Sequence, residues 1–339
     1  MSVLDVFKQD AFSVISMTDA INKRPFIPGR AGAVAGWAEQ GVATLTVMIE
    51  EQSGYLALVN PTPRGGPGSA YAKVGRTARV LSIPHYQIDD GINADEVQGV
   101  RAFGQESQVQ TVMSVVNSRM ASHVQEKLDP TLEYQRIGAI KGIILNADGS
   151  TLYNLFTEFG VGVPDTVYFN LAAADDGALR NTCAQVARTL AGTLAGIPFS
   201  GIYALCGDEF FDALIANPEV RATYLNQQDA SQLRTGVPVY GQFNFGGIVW
   251  ENYRGGTGLD PFIAADSCQL FPTGVPGLFR TIYGPADYLE TVNTIGLPRY
   301  ARQWEMHNGK GIHLEVQMNA LNYCTRPNVL IPGSLEASA

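Results

Sequence analysis

Basic residues are scarce in this chain and never clustered. Its 339 residues include 23 Lys and Arg against 32 Asp and Glu, which gives a formal net charge of -9, and no basic tract is longer than two residues. Binding of nucleic acid through phosphate contacts, independent of base sequence, needs grouped Lys and Arg. The charge balance therefore argues against that class of function.

Signatures of catalysis and of metal binding are also missing. No GxSxG, HExxH or catalytic-cysteine motif is present, and such motifs hold nucleophiles or metal ligands at fixed spacing. The cysteines stand far apart, without a CxxC pair or a histidine at zinc spacing; they are Cys183, Cys206, Cys268 and Cys324. We expect four reduced, mostly buried thiols, no cofactor and no enzymatic activity.

Two weaker chemical patterns remain. His307 and His313 flank a predicted hairpin turn at 308–311, where they could face each other as metal ligands, although solvated turn neighbours are the commoner case. Asp208 and Glu209 follow a predicted strand and could serve in acid–base chemistry. At the start of a helix both carboxylates would also interact favourably with the helix dipole, and we prefer this structural interpretation.

Long apolar runs are absent too. No window of about 18 apolar residues is available to span a bilayer, and residues 1–12 lack the basic start and apolar core of a signal peptide. We expect no membrane contact. With 45% apolar and 16% charged residues, the chain is long and apolar enough to fold into an ordered protein with two cores.

The most informative segment predicts a long helical rod from about Glu106 to Gly142. Its large apolar residues recur every three or four positions, on one face of a helix: Val109, Met113, Val116, Met120, Val124, Leu128 and Leu132. Such a rod is roughly 50 Å long at ~1.5 Å per residue. Asp129-Pro130 either caps a second coaxial helix or kinks a single one, and the continuous apolar phase favours the kink. A β-hairpin with its turn at 146–149 follows.

The N-terminal part of the chain predicts an arm and a β excursion. Prolines and a glycine at 25–29 deny helix there, so residues 1 to about 46 are expected to form an extended arm that finds its partners elsewhere. Strands are predicted at 41–51, 55–59 and 80–83, around a glycine-rich stretch at 60–69. That stretch is no phosphate-binding loop, because it lacks a Gly-Lys-Ser/Thr opening a helix. An isolated hairpin is marginally stable, so another copy of the chain is its expected cover.

Beyond residue 160 the pattern changes to alternating strands and helices, which predicts a mixed α/β region with its own core. The predicted strands are 166–171, 202–206, 237–240, 247–253, 268–271 and 278–283. The predicted helices are 178–195, a helix that opens at 207–208 and stops at 217–218, and 220–225.

A series of short stretches runs through nearly the whole chain: FKQDAFSV (7–14), TDAINK (18–23), ADEVQ (94–98), VRAFG (100–104), TLEYQRIGAIKG (131–142), ADGS (147–150), YNLF (153–156), FPTGVPGLF (271–279), PADYLETVNT (285–294) and CTRP (324–327). In this colinear order they resemble the major capsid protein family of lambda-type tailed bacteriophages. No single stretch would suffice by itself.

The resemblance implies an α+β fold of the Hong-Kong-97 capsid type. Its parts would be an N-terminal arm (1–46), an E-loop (47–86), a peripheral domain with a spine helix (87–165), an axial domain (166–297), return strands of the peripheral domain (298–319) and a C-terminal axial segment (320–339). Contacts with neighbouring copies are expected from the E-loop and the arm, at Arg64, Lys73, Arg76, Arg79, Phe7 and Phe12. We do not expect a covalent cross-link through Lys73, because no acidic partner for that reaction is evident.

The resemblance also implies a function. The chain would be a structural protein that self-assembles into the pentamers and hexamers of an icosahedral head around double-stranded DNA, made in the bacterial cytoplasm and carried in the virion. Expected partners are other copies, a separate scaffolding protein, a portal and a decoration protein, with no sequence-specific contact to DNA. Two alternatives stay open: a cargo-enclosing shell protein of the encapsulin type, and an α/β enzyme with its site near Gly207-Asp208-Glu209.

Overall fold

The structure is a computed structural model, and it describes residues 17–18, 29–52, 76–93, 96, 108–172, 177–225, 241–257, 260–307 and 309–335. Its helices are α1 Arg30–Val34, α2 Gln108–His123, α3 Asp129–Lys141, α4 Leu155–Phe159, α5 Ala178–Thr193, α6 Asp208–Ala216 and α7 Pro218–Leu225. Its strands are β1 Ala38–Gly41, β2 Thr46–Gln52, β3 Arg76–Ser82, β4 His85–Asn93, β5 Ile143–Leu145, β6 Thr151–Asn154, β7 Val167–Tyr168, β8 Gly201–Cys206, β9 Gln242–Phe245, β10 Ile248–Asn252, β11 Gly256–Thr257, β12 Asp260–Pro261, β13 Ser267–Thr273, β14 Phe279–Tyr283, β15 Tyr300–Glu305, β16 Gly311–Cys324 and β17 Ile331–Ser334.

The rod is continuous, with a wide turn in its middle. α2 runs into a π turn, Val124–Leu128, and then into α3. Asp129 has helical dihedrals, φ -66° and ψ -45°, and donates its N–H to the carbonyl of Val124, five residues earlier. In a regular α-helix the ring of Pro130 would clash with the carbonyl of Glu126, and the π turn contains Glu126. A single interrupted rod is therefore observed, and the alternative of a newly capped second helix is wrong.

The packing face and the C-terminal end of the rod agree with the sequence. The buried residues along it include Val116, Met120, Val124, Leu128 and Leu132. Gly142 adopts φ 81° and ends the rod, and β5 and β6 form the predicted hairpin immediately after it. The predicted start near Glu106 lies outside the described residues, as do the side chains of Val109 and Met113.

The rod packs on a five-stranded sheet organised around β16. This long strand pairs antiparallel with β4, β14 and β15, and β1 joins by parallel pairing with β14. The buried face of the rod shares one apolar core with Ile312, Leu314 and Val316 of β16. The β15–β16 pairing also confirms the strands predicted around the turn at 308–311.

A second, six-stranded sheet has the order β7-β17-β13-β8-β10-β9. In the centre of this sheet, β8 pairs in parallel with β10 and antiparallel with β13. The amphipathic face predicted for α5 is buried, at Leu179, Cys183, Val186 and Leu190. The helices predicted from 207–208 and at 220–225 are α6 and α7, and residues 331–334 return to this sheet as β17.

The expectation of an extended arm up to residue 46 is wrong for residues 30–41. α1 begins directly after Gly29, and Ala31 is fully buried. It lies in the main core of the molecule, a buried apolar cluster that extends from the C-terminal part of the rod, at Ile137 and Ile140, to strands of both sheets. Residues 38–41 then pair with β14, with Ala38 opposite Arg280. The prolines that deny helix lie before this point, and the small side chains of Ala31 and its neighbours allow close packing against the body.

Some predicted strands differ in extent. The strand expected at 41–51 is divided, since Gly41 closes β1 and β2 begins at Thr46. The strand expected at 166–171 is reduced to the two residues of β7. The predictions at 55–59, 60–69 and 237–240 lie outside the described residues.

Candidate assembly surface

The β2–β3 hairpin exposes an apolar pair on one face. Val47 and Ile49 of β2 turn toward the main core, as does Leu81 of β3. Met48 and Val80 lie directly opposite each other on the other face and are 64% and 60% exposed. Alternate residues of a strand point to opposite faces, so the hairpin has one face packed on the chain itself and one face open to solvent that carries this apolar pair.

A second exposed apolar group lies between β14 and β15. Leu289 stands on a 3₁₀ turn, Leu289–Thr291, and is 90% exposed, while Val292 and Ile295 are 60% and 70% exposed. The turn is fixed by polar contacts, because Thr291 Oγ1 donates to the carbonyl of Ala286 at 2.8 Å. Its apolar side chains therefore contribute little to holding it in place.

Aromatic packing anchors the start of this segment. The rings of Tyr288 and Tyr300 meet edge to face with centroids 6.5 Å apart, and the Arg302 guanidinium lies 5.2 Å from the Tyr288 ring centroid. Burial, reinforced by the negative charge of Glu315, raises the pKa of Tyr288, so its hydroxyl stays protonated. The exposed Leu289 thus follows a firmly held residue.

The chain segments that carry the two apolar groups meet at the base of the hairpin. Gly296 donates its N–H to the carbonyl of Val42 at 2.9 Å, and a Cβ on Gly41 would stand 2.2 Å from the carbonyl oxygen of Gly296. Leu45, 69% exposed, lies just beyond this junction. We call the exposed side chains on both sides of it the assembly surface: Leu45, Met48, Val80, Leu289, Val292 and Ile295. Grouped exposed apolar residues on a soluble protein usually mark a protein–protein contact.

A groove beside the hairpin carries positive charge. It has a volume of about 720 Å³ and runs between β2 and the 3₁₀ turn Pro327–Val329. Arg280 and Arg326 line it, and none of its described lining residues is Asp or Glu. The groove therefore differs in sign from the net charge of the chain, which is -9.

The residues predicted to contact neighbouring copies are only partly described. Arg79 lies on β3, and its guanidinium is 5.6 Å from the ring centroid of Phe159 in the same chain. Arg76 begins β3, but its side chain is outside the description, as are Phe7, Phe12, Arg64 and Lys73 altogether. Their assignment to contacts between copies stays a prediction.

The assembly surface itself was missed at the level of sequence. Leu289, Val292 and Ile295 repeat every three residues in a stretch punctuated by Asn, Gly and Pro. This spacing of apolar residues, in a stretch without strand or helix signals, is the sequence feature that indicates exposed apolar side chains.

The residues considered above for acid–base chemistry or metal binding make contacts that are typical of structural residues. Asp208 stands in the first turn of α6 and accepts hydrogen bonds from Asn252 Nδ2 at 2.8 Å and Arg254 Nε at 3.0 Å. The ring of His313 stacks on Trp304, its partner across β15 and β16. Within the described residues no group of three His, Cys, Asp or Glu side chains is arranged to hold a metal ion. None of the helices described there is both long and apolar enough to cross a membrane.

Comparison with known proteins gives the family. The model of the family described as phage major capsid protein E matches residues 13–334. The chain belongs to this family. It is therefore a major capsid protein of a tailed phage, a building block of the capsid shell and a component of the virion. The family is one of structural proteins, and neither the encapsulin nor the enzyme alternative is favoured.

Individual relatives agree with this assignment over almost the full length. The chain is 24% identical to the major capsid protein of Pseudomonas phage KPP10, covering 96% of this chain and 97% of that protein. It is 25% identical to the major capsid protein of Salmonella phage Felix O1, with 96% of both chains covered.

Solved capsid structures share the fold at low sequence identity. The capsid of Cyanophage P-SCSP1u superimposes with a TM-score of 0.52 at 11% identity, covering 89% of this chain and 87% of that one. The mature capsid of bacteriophage PhiM1 gives a TM-score of 0.51 at 11% identity, covering 94% and 90%. The predicted α+β, Hong-Kong-97-type capsid fold is thus confirmed.

Proposed function

We propose that this chain forms pentamers and hexamers that close into an icosahedral head around double-stranded DNA, and that the assembly surface is one contact between adjacent copies. Subunits made and assembled in the bacterial cytoplasm would bury this surface as each ring closes. Heterologous contacts of this kind generate closed rings from identical chains.

The observation that carries the proposal is the exposure of the assembly surface. Most large apolar side chains of the described residues are buried, yet Leu289, Ile295 and Met48 are more than half exposed. Burial of apolar surface contributes roughly 25 cal/mol per Å², so covering several such side chains in each contact supports association. The partner that a shell subunit meets on every side is another copy of itself.

We assign the parts of the chain to the shell as follows. The arm is 1–46, with residues 30–41 serving as its root on the body, and the E-loop is 47–86. The peripheral domain is 87–165 together with 298–319, and the axial domain is 166–297 together with 320–339. The rod packed on β16 together with β4 and β15 supports the peripheral assignment, and the six-stranded sheet supports the axial one. β14 lies in the axial range and pairs with residues 320–324 of β16, so β16 would join the two domains.

Further partners belong to the same proposal. A separate scaffolding protein, a portal and a decoration protein would act with the shell, and DNA would be enclosed without sequence-specific contact. The net charge of -9 suits an acidic inner face that repels packaged DNA and lets it leave. A positively charged inner face in the assembled particle would overturn this part.

The test of the proposal is assembly of a variant with a charge in the assembly surface. Leu289→Asp places a carboxylate where 90% of the side chain is exposed, so the isolated subunit should keep its thermal unfolding midpoint. Electron microscopy and sedimentation should then show free subunits or incomplete rings in place of closed shells. Leu289→Met, which keeps the site apolar, is the matched control and should form normal shells. Normal shells from Leu289→Asp would remove this surface from the contact.

A further inference from the structure

Three cysteines that are distant in sequence come together at the six-stranded sheet. Cys206 ends β8 and Cys268 lies on β13, and the two are direct partners in the antiparallel register. Cys183 on α5 belongs to the same core, and all three are buried. Their proximity could not be predicted from the sequence, because the spacing between these cysteines fits no known motif.

The pairing of Cys206 with Cys268 is of the type that brings side chains closest. Gly207 donates its N–H to the carbonyl of Ser267 at 2.9 Å, which places Gly207 and Ser267 at a hydrogen-bonding position of the ladder, although the Ser267 N–H itself donates to Ala264. The pair one step further, Cys206 and Cys268, is then non-hydrogen-bonded, with Cα atoms about 4.5 Å apart. A disulfide requires Cα atoms roughly 4.4–6.8 Å apart. The two strands can be bridged in their present register.

We propose that Cys206 and Cys268 form a disulfide across β8 and β13 once the virion leaves the host and meets a small-molecule disulfide such as glutathione disulfide. One cysteine attacks the small disulfide as its thiolate, forms a mixed disulfide and releases one small thiol. The second cysteine then displaces the other small thiol and loses its proton. In total, two protein thiols and one small disulfide become one protein disulfide and two small thiols.

Burial makes this reaction slow and dependent on transient exposure of the thiols. Burial, together with the adjacent Cys206, raises the pKa of the Cys268 thiol well above its usual range, and burial raises the pKa of Cys183 to about 12. The reactive thiolate is therefore scarce at neutral pH. Cytoplasmic thiol buffers keep such pairs reduced, so the bond belongs to the released particle and forms during transient opening of the sheet.

The remaining cysteines make the pairing specific. Cys183 packs against Gly246, where an added Cβ would stand 2.8 Å from its Sγ, and it approaches the pair from a helix without a strand register. Cys324 ends β16 in the other sheet, opposite Phe279. A Cys206–Cys268 bond closes a loop that contains α6, α7, β9 and β10, which restricts the unfolded chain and stabilises the fold.

The experiment uses purified particles incubated with glutathione disulfide at mildly alkaline pH, with and without a sub-denaturing concentration of urea. Free thiols are alkylated under denaturing conditions, and peptides are analysed by mass spectrometry. We expect a linked peptide pair containing Cys206 and Cys268, two hydrogens lighter than the reduced peptides. The thermal unfolding midpoint should rise by several degrees and return after treatment with dithiothreitol.

Serine variants provide matched controls. Cys206→Ser and Cys268→Ser should each abolish the linked peptides and the rise in midpoint, whereas Cys183→Ser and Cys324→Ser should retain both. Alkylated Cys206 and Cys268 after oxidation with urea present would overturn the proposal. So would a stable glutathione adduct on either residue, or a link from either one to Cys183. None of these outcomes depends on which surface the subunits use for assembly.

Discussion

At the scale of single residues, Arg30 and Glu251 place opposite charges where water has little access. Arg30 Nε and Nη2 donate to the two carboxylate oxygens at 2.5 and 2.6 Å, and the Tyr203 hydroxyl donates to the same carboxylate. The Glu251 side chain is fully buried, while that of Arg30 is 33% exposed. Glu251 therefore depends on these donors, because an ionised carboxylate without partners is costly inside a protein.

Arg30→Ala should destabilise the subunit. Removing one partner of a buried ion pair costs roughly 3–5 kcal/mol, and the partial exposure of Arg30 puts our expectation at about 3 kcal/mol. Arg30→Lys keeps the charge but loses the bidentate geometry, so its cost should be intermediate. Urea unfolding of the unassembled subunit measures both changes. An unfolding midpoint for Arg30→Ala equal to that of the wild type would contradict this account.

Asp90 should contribute stability that acid removes. Partial burial pushes its pKa upward, but the hydrogen bond from His123, the N–H of Gly91 and the charge of Arg119 outweigh burial and lower the pKa. A carboxyl with a lowered folded-state pKa stabilises the fold above its unfolded pKa of about 3.9, and this contribution is lost as the pH falls through the folded value. Asp90→Asn should therefore lower the urea midpoint at pH 7, with the difference from wild type vanishing in strong acid.

Glu133 should show the opposite sign. Burial raises its pKa despite hydrogen bonds from the Ala31 N–H and the Tyr253 hydroxyl. A carboxyl with a raised folded-state pKa contributes stability below its unfolded pKa of about 4.3, and loses it as the pH rises through the folded value. Glu133→Gln keeps an acceptor for both donors, so its midpoint relative to wild type should improve from acid to pH 7. A constant difference across this range would refute the assignment.

At the scale of elements, two glycines have similar φ angles but different surroundings. Gly142 ends the rod, and Gly149 lies in the turn of the hairpin that follows. Gly142 and Gly149 have φ angles of 81° and 83°. A Cβ on Gly142 would lie 2.4 Å from the ring of Phe156, whereas nothing lies within 4 Å of a Cβ on Gly149. A substitution at either glycine would therefore strain the backbone, but only a side chain at Gly142 would also clash with a neighbouring group.

Gly142→Ala should cost more than Gly149→Ala. Both substitutions place a side chain in the left-handed region, at roughly 1–2 kcal/mol, and only the first also forces Phe156 to move. Adding Phe156→Leu should recover part of the loss for Gly142→Ala and none for Gly149→Ala. Thermal midpoints of the four variants decide this, and equal losses at the two glycines would contradict the predicted steric term.

Elements differ in how far their sequence determines them. The rod and α5 carry their own helical periodicity, and β8 is a continuous apolar run with five consecutive buried residues. All three were therefore predictable. α1, β1 and β4 were not predicted, since they are short or contain residues such as the Asp89-Asp90-Gly91 run of β4 that favour turns. β1 forms because it pairs with β14, and β4 forms because it pairs with β16. In both cases the partner is more than 200 residues away, and such pairing leaves no local signal.

At the scale of the whole molecule, the family and the capsid fold could be inferred from the chain, but the assembly surface could not. Leu289, Ile295 and Met48 are ordinary core residues by type, and only the folded chain shows that they remain exposed. Their exposure depends on the polar anchoring of Thr291 and on the packing of the opposite hairpin face. Both arise from contacts between distant segments.

The hairpin side of the assembly surface should matter independently of Leu289. Val80→Glu replaces an exposed apolar residue, so the free subunit should unfold within about 0.5 kcal/mol of wild type, as is usual for surface positions. Shell formation, followed by light scattering, should be slowed or lost because the charge would be desolvated between copies. Val80→Ile is the matched control and should assemble normally. Unchanged kinetics for Val80→Glu would exclude the hairpin face from the contact.

The position of α1 has a mechanical consequence. Arg30 is bonded to Glu251 in the six-stranded sheet, while the next residue, Ala31, donates to Glu133 on the rod at 2.9 Å. Tension applied to the chain before residue 29 would thus be divided between the six-stranded sheet and the rod. Because Ala31 lies in the apolar core that contains residues of both elements, a pull from a neighbouring copy would be resisted by the whole core and not by a single strand or helix.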